Sequence, residues 1–452
     1  MKKLFGTDGI RSIAGEAPLD EHTLGRIGAA LVEEWKQEGI KPRVILGRDT
    51  RASGEWIVAT LVRSMMASGI DEATDVGVIS TPGLAYLTRH RGFDLGIMVS
   101  ASHNPYQDNG IKIFGKDGFK LTDAQEFEIE RLIEELPPQR LTETAPSRVE
   151  SSQLVQEYIA FLKSQTETRL GLLRIGLDVC NGSAHAIAPQ VFRELDASVV
   201  VINDKPDGRN INLNCGSLHL SQLISLVKER ELDLGVAFDG DADRSLFVTP
   251  SGRVFDGDFV LFVLALHFHG LQQLTANKVV GTIMSNYALE RALNAHGIQL
   301  VRASVGDRYV LEIMKESGAN LGGEPSGHVI LLDYHTAGDG ILTAVKLAEV
   351  LTKSGATLDE LSDGLHPYPQ VLDGLKVRKR VPLESPEIAG LIQDAERRFG
   401  ESSGRLVIRY SGTEPLLRIM AEGPDGAKVR SVVSELKASL GEMITELSSE
   451  NG

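Results

Sequence analysis

Leu95-Gly-Ile-Met-Val-Ser-Ala-Ser-His-Asn-Pro105 reads as a short apolar strand that breaks into a polar loop. Leu95 to Val99 suit a strand buried on both faces. Ser100, Ser102, His103, Asn104 and Pro105 cannot continue it, because proline gives no N–H to a ladder and serine and asparagine favour turns. Two serines and a histidine are therefore presented at the end of a rigid strand, which in open α/β sheets is where ligands bind. A hydroxyl placed there is structural, a nucleophile, or the carrier of a covalent group.

Outward from this stretch, three pairs of segments share one pattern. Arg43-Val-Ile-Leu-Gly-Arg-Asp-Thr-Arg-Ala-Ser-Gly54 is a strand, a polar turn and the start of a helix reaching about Ser68. The opening stretch follows it, and Asn109-Gly-Ile-Lys-Ile-Phe114 alternates like a return strand. Leu173-Arg-Ile-Gly-Leu-Asp-Val-Cys-Asn-Gly-Ser-Ala184 pairs with Asp233-Leu-Gly-Val-Ala-Phe-Asp-Gly-Asp-Ala-Asp-Arg244 and a return strand from Ser245 to Thr249. Asn277-Lys-Val-Val-Gly-Thr-Ile-Met-Ser-Asn286, with a helix to about Ala295, pairs with Ala319-Asn-Leu-Gly-Gly-Glu-Pro-Ser-Gly-His328 and a strand from Val329 to Leu332. Such a repeat fits a tandem of related α/β domains, and like loops on like folds can converge on one cleft.

The predicted fold class is α/β. Three tandem related mixed-sheet domains span 1–152, 153–255 and 256–368, and a smaller α+β C-terminal domain spans 369–452. The Pro, Thr and Ser rich stretch from Leu136 to Ser152 reads as leading out of the first domain. His366-Pro-Tyr-Pro369 is stiff enough to serve as a hinge. The fourth domain carries a loop at Arg409-Tyr-Ser-Gly-Thr-Glu-Pro415 and a last helix from about Ala427 to Leu447.

A net charge of −15 over 452 residues argues against nucleic acid as a partner. An acidic chain can still hold an anion, through local arginines and helix N-termini. The two cysteines, Cys180 and Cys215, have no zinc spacing and suggest a reducing compartment. The N-terminus lacks the apolar segment of a signal peptide. The longest apolar run, Phe259 to Phe268, is too short to span a membrane and reads as a buried helix. A cytoplasmic protein without a membrane partner is expected.

Asp239-Gly-Asp-Ala-Asp243 places carboxylates at alternate positions just after an apolar strand, which suits a hard divalent cation. It is not an EF-hand, because Arg244 stands where Gly is needed and Pro250 where Glu is needed. A site holding a metal against phosphate suits Mg²⁺. Arg409-Tyr-Ser-Gly-Thr-Glu-Pro415 with Arg418 offers forked donors, hydroxyls and close backbone approach for a phosphate, and there is no P-loop. Glu324, Ser326 and His328 sit on a tight loop suited to sugar hydroxyls, and a Gly-rich hairpin turn explains that loop equally well. Arg11 is a possible anion contact. Lys112 faces away from Ile111 and Ile113, where a strand lysine is commonly solvated. Arg48, Asp49, Arg51 and Ser53 read as structural, with Ser53 or a neighbour capping the next helix.

Ser102 lacks the Gly-x-Ser-x-Gly elbow of a hydrolase. On extended backbone, His103 would point away from it. Serine, metal cluster and anion loop together point to phosphoryl transfer through a phosphoserine. Phosphorylated Ser102 would supply one Mg²⁺ ligand and Asp239, Asp241 and Asp243 the others.

The chain resembles the α-D-phosphohexomutase superfamily along essentially its whole length. The residues that carry the resemblance are Phe5-Gly-Thr-Asp-Gly-Ile-Arg11, Ser100-Ala-Ser-His-Asn-Pro105, Asp239-Gly-Asp-Ala-Asp-Arg244, Gly323-Glu-Pro-Ser-Gly-His328 and Arg409-Tyr-Ser-Gly-Thr-Glu-Pro415. Gly306-Asp-Arg-Tyr309, the segment from Leu331 to Gly340, and Ser411-Gly-Thr413 are similar to the glucosamine branch. Pro325, where that branch usually has Gln, and Ser12, where Gly is usual, depart from it.

The resemblance implies four domains around a central cleft, Mg²⁺, a phosphorylated Ser102 and a homodimer. It implies interconversion of glucosamine 6-phosphate and glucosamine 1-phosphate through glucosamine 1,6-bisphosphate, toward UDP-N-acetylglucosamine. On this reading Arg244, Glu324 and Ser326 contact the sugar phosphate. Arg409, Ser411, Gly412, Thr413 and Arg418 hold the phosphate that is not reacting. Arg11, Lys112 and His328 are candidates for proton transfer or charge stabilisation. The alternatives are a phosphomannomutase/phosphoglucomutase, a non-catalytic sugar-phosphate sensor, and a metal-dependent phosphatase.

Overall fold

The computed structural model describes residues 4–6, 8–37, 39–136, 148–150, 153–377, 379–399, 404–411 and 415–450. Gly412, Thr413 and most of the stretch following Leu136 lie outside the described residues. Two compact units divide the chain: 1–282 with 301–362, and 283–300 with 363–452.

In the first unit the opening strand, Leu95–Val99, is buried at every position. It sits inside a seven-stranded sheet ordered Phe5–Gly6, Gly9–Ile13, Asp108–Gly115, Leu95–Val99, Val44–Arg48, Ala73–Val78, Arg148–Glu150. Leu95, Ile97, Val99, Ile111 and Ile113 pack with Val44 and Leu46 on one face, under the helices Glu21–Gln37, Gly54–Ala67 and Asp123–Glu135. Full burial of each such side chain stabilises by roughly 1.5–3 kcal/mol.

The second sheet runs Val254–Phe255, Ser245–Val248, Leu234–Phe238, Arg174–Asp178, Ser198–Ile202. The third runs Gln299–Ala303, Lys278–Thr282, Leu321–Gly323, Val329–Leu331. The pattern read from the sequence is present in all three sheets. A first strand lies parallel to a second, and the second turns through a polar loop into an antiparallel return strand. The three polar loops thus leave the same end of equivalent strands.

The second unit holds a three-stranded antiparallel sheet ordered Gln370–Lys376, Leu416–Glu422, Arg405–Tyr410. Leu417, Ile419 and Ala421 pack against Ile388 and Phe399 of the helix Pro386–Phe399, and against Val429, Leu436 and Leu440 of the helix Gly426–Glu450. The fold is therefore three related mixed-sheet α/β domains and a smaller α+β domain.

Two local expectations change. Arg148–Glu150, read as part of an exit segment, adds a parallel edge strand beside Ala73–Val78, a three-residue alternation too short to register in the sequence. Ser53 precedes its helix in helical backbone geometry and makes no capping bond; its hydroxyl accepts from Asn109 Nδ2 at 2.8 Å instead. Phe259 to Phe268 lie in the buried helix Gly257–Gly270, and no described helix is long and apolar enough to cross a membrane.

Candidate active site

The serine loop departs from the sequence reading in one respect that matters. Ser102 is not extended; its φ is 53°, the left-handed region that costs a non-glycine residue of order 1–3 kcal/mol. That turn brings its Oγ within 3.3 Å of His103 Nδ1, correcting the expectation that the two side chains diverge. His103 is nonetheless a poor proton acceptor here. Burial and the Arg244 and Arg11 charges push its pKa down to about 4, and its Nδ1 also faces Arg244 Nη1 at 3.1 Å.

The Ser102 hydroxyl donates to Asp239 Oδ2 at 2.6 Å. The strand Leu234–Phe238 ends at Asp239, and the loop beyond it approaches the serine loop so closely that a Cβ at Gly240 would lie 2.5 Å from the Ser102 carbonyl oxygen. Only glycine fits there. Asp239, Asp241 and Asp243 are all buried, with ligand atoms within 4.8 Å of one another. Burial, with the charges of Asp243 and Asp241, raises Asp239 well above the usual carboxylate range. Asp241 Oδ1 accepts no hydrogen bond among the described residues. Three converging carboxylates with an open oxygen fit a hard divalent cation.

Lys112 lies in the return strand on the face opposite Ile111 and Ile113, as its alternation required. That face is not water. Lys112 is 1% exposed, and its Nζ bonds Asp241 Oδ2 at 2.8 Å and Asp243 Oδ2 at 2.9 Å, with Asp8 Oδ2 at 3.2 Å. The solvated-lysine reading fails because the aspartate loop of the second sheet supplies the environment. Burial disfavours the charge, but Asp241, Asp243 and Asp8 together hold the lysine pKa well above its ordinary value. Arg11 pairs with Asp8 and reaches the Ala101 carbonyl at 3.4 Å.

In the third loop, Glu324 is buried and its Oε1 accepts the Gly306 N–H at 3.0 Å, while Ser326 is exposed. A Cβ at Gly257 would lie 1.9 Å from the Glu324 carbonyl, so that helix start carries the loop. His328 places Nδ1 3.8 Å from Asp243 Oδ1 and Nε2 3.9 Å from Asp307 Oδ2. Burial works against its charge, but those carboxylates raise its pKa. Arg244 sits beside Asp243, with Nε 3.9 Å from Oδ1. The first unit thus brings together Ser102, Lys112, Asp239, Asp241, Asp243, Arg244 and His328.

In the second unit Arg409 and Arg418 are register partners on adjacent antiparallel strands, so both project on one face, opposite the face that carries Leu417 and Ile419. Like charges directly opposed are unfavourable unless an anion joins them. Ser411 is buried, and its carbonyl accepts from Arg380.

Sequence reading gave no role to several neighbours. Asp8 links Lys112, Lys120 and Arg11. Thr81 donates to Asp241 Oδ2. Asp307 pairs with Lys120. Asp8 and Asp307 belong to the Phe5-Gly-Thr-Asp-Gly-Ile-Arg11 and Gly306-Asp-Arg-Tyr309 motifs; Thr81 and Lys120 carry no local signal.

The description "Phosphoglucomutase/phosphomannomutase, alpha/beta/alpha domain I" matches residues 2–140, domain II 156–252, domain III 256–368 and the C-terminal domain 373–439. Fold and site thus define a phosphohexomutase of that class. The phosphoglucosamine mutase of Solibacter usitatus is 48% identical over 431 residues, covering 95% of this chain and 96% of the relative. The chain belongs to the phosphoglucosamine mutase family. A phosphoglucomutase/phosphomannomutase family protein from Burkholderia thailandensis has the same fold, with a TM-score of 0.80 at 24% identity and 97% of each chain covered. Aspergillus fumigatus N-acetylphosphoglucosamine mutase, solved with GlcNAc-6P and magnesium, matches with a TM-score of 0.61 at 17% identity, covering 97% of this chain and 95% of that one.

Proposed function

We propose that this chain interconverts glucosamine 6-phosphate and glucosamine 1-phosphate through a phosphorylated Ser102 and glucosamine 1,6-bisphosphate, on the route to UDP-N-acetylglucosamine. The observation that carries this reading is the Ser102 hydroxyl on Asp239 Oδ2 at 2.6 Å, beside two further buried aspartates and Lys112. A sugar-phosphate sensor needs neither a nucleophile nor that carboxylate cluster.

Asp239, Asp241, Asp243 and the Ser102 phosphate would hold Mg²⁺, the ion in the Aspergillus fumigatus structure. The ion supplies charge neutralisation to the phosphoryl group. In the forward half-reaction the bond between phosphorus and Ser102 Oγ breaks as a bond to the free sugar hydroxyl oxygen forms, in line. The sugar hydroxyl gives up its proton as that bond forms, and Arg11, Lys112 and His328 are the candidates for proton transfer or charge stabilisation. The carboxylates beside His328 favour its charged form, which suits it to stabilising charge or returning a proton. The bisphosphate then returns its other phosphate to Ser102, regenerating the phosphoenzyme. Arg244, Glu324 and Ser326 orient the sugar. Arg409, Ser411, Gly412, Thr413 and Arg418 take the phosphate that is not reacting.

The four domain spans 1–152, 153–255, 256–368 and 369–452, a cytoplasmic location and a homodimer belong to the same proposal. Two buried thiols support the reducing compartment, and sedimentation would test the dimer. Steady-state rates on glucosamine, mannose and glucose phosphates test the substrate. Ser102→Ala should remove turnover without altering the circular dichroism spectrum; wild-type turnover in that variant overturns the phosphoserine reading.

A further inference from the structure

We infer that Arg51, acting with Asp49 and Ser100, is a positioning residue that holds the Ser102 loop in its reactive shape; the inference rests on Ser102 being the phosphoryl carrier. All five N–H donors of the Arg51 guanidinium are used. Its Nε donates to Asp49 Oδ2 at 2.8 Å. Its Nη2 donates to the Ser102 and Asn104 carbonyls, each at 2.9 Å. Its Nη1 donates to the Asp108 carbonyl at 3.1 Å and to that of Pro105. Four of the five bonds therefore end on backbone oxygens of the nucleophile loop and the strand that follows it.

The amide side of Ser102 is tied to the same group. The Ser102 N–H donates to Ser100 Oγ at 3.0 Å, and that hydroxyl donates to Asp49 Oδ2 at 2.6 Å. One closed circuit thus joins both backbone polar groups of Ser102: its N–H to Ser100, Ser100 to Asp49, Asp49 to Arg51, and Arg51 back to the Ser102 carbonyl. Asn212 Nδ2, from the second domain, adds bonds to the Ser102 and Asn104 carbonyls at 2.9 and 3.0 Å.

The circuit has something to hold. Ser102 sits at φ 53°, a conformation serine abandons unless its surroundings over-determine it. Relaxation toward extended backbone would turn Oγ away from Asp239. Displacement of a reacting atom by about 1 Å can cost about 100-fold in rate. The guanidinium is suited to this work because it is planar with five donors in a fixed fork; lysine offers a point charge with three. The Arg51 and Asp49 side chains are both fully buried.

The test uses the full-length chain with Mg²⁺ and saturating glucosamine 1,6-bisphosphate, measuring kcat and KM for glucosamine 1-phosphate together with the thermal midpoint. Arg51→Lys and Ser100→Ala should each lower kcat by about 10- to 100-fold with KM within about twofold of wild type. Arg51→Ala should recover part of its kcat in millimolar guanidinium and none in tetramethylammonium. Ser100→Ala removes only one hydroxyl and keeps the question answerable if an Arg51 variant does not fold. Wild-type kcat in Ser100→Ala or a folded Arg51→Lys overturns the positioning role. So does a loss that tracks a lowered thermal midpoint and ignores guanidinium. Ser102→Ala runs in parallel: if it is active, the phosphoserine reading falls and takes this inference with it. If it is inactive beside a wild-type-like Arg51→Lys, the inference alone falls.

Discussion

His335 shows how one residue of a recognisable motif can serve the scaffold. Its Nε2 donates to the Pro82 carbonyl and its Nδ1 accepts the Ala337 N–H, both at 3.0 Å, so the neutral ring is the one that fits. Burial pushes its pKa down to about 4. An unfolded histidine titrates near 6.5, so between those values the unfolded chain binds the extra proton. The neutral ring therefore contributes stability above about pH 6.5 that is lost as pH falls toward 4, roughly 3 kcal/mol in all. Urea unfolding of wild type and His335→Gln at steps from pH 7 to 4.5 should show a steep acid decline in the first and a shallower one in the second. Parallel declines would assign the acid sensitivity to other groups.

At the scale of elements, two loops meet where glycine is the only residue that fits. A methyl group at Gly240 would press on the Ser102 carbonyl at 2.5 Å, a backbone oxygen that cannot rotate away. Gly240→Ala should therefore part the aspartate loop from the serine loop, cutting kcat by about 10-fold or more while far-ultraviolet circular dichroism stays unchanged. The strand pair Arg405–Tyr410 and Leu416–Glu422 gives a different expectation. Arg409 and Arg418 stand opposed on one face, so Arg409→Ala should raise KM for the sugar phosphate about 10-fold or more and leave the fold intact. An unchanged KM would remove Arg409 from the phosphate site.

These cases also mark how much was legible beforehand. Strand, polar loop and return strand were readable three times over, because periodicity and turn chemistry are local. The fate of Lys112 was not, since alternation gave its face correctly but not what covers that face. The left-handed turn at Ser102 was hidden for the same reason: the network that enforces it begins at Asp49 and Arg51, about fifty residues earlier, and includes Asn212 from a turn more than a hundred residues later.

For the molecule as a whole, the two thiols are natural reporters. Cys180 and Cys215 are buried, and burial together with the Asp178 charge pushes the Cys215 thiol up to about 12. Burial likewise raises Cys180 well above its ordinary value. Neither should react with a thiol reagent at neutral pH in the native state, and both should react at once in denaturant. Native labelling on a timescale of minutes would mean that the second sheet opens without global unfolding.

Lys112 has one further consequence, for folding without the ion. A cluster of buried carboxylates is costly to assemble without a counter-charge, and some small metal-binding domains stay unfolded until their metal supplies it. Here the chain brings an ammonium of its own into contact with Asp8, Asp241 and Asp243. Those three carboxylates thus have an internal counter-charge whether or not a divalent ion is bound. Refolding from urea in excess chelator should reach the thermal midpoint of protein refolded with Mg²⁺ to within a few degrees, whereas Lys112→Met should make refolding depend on the ion.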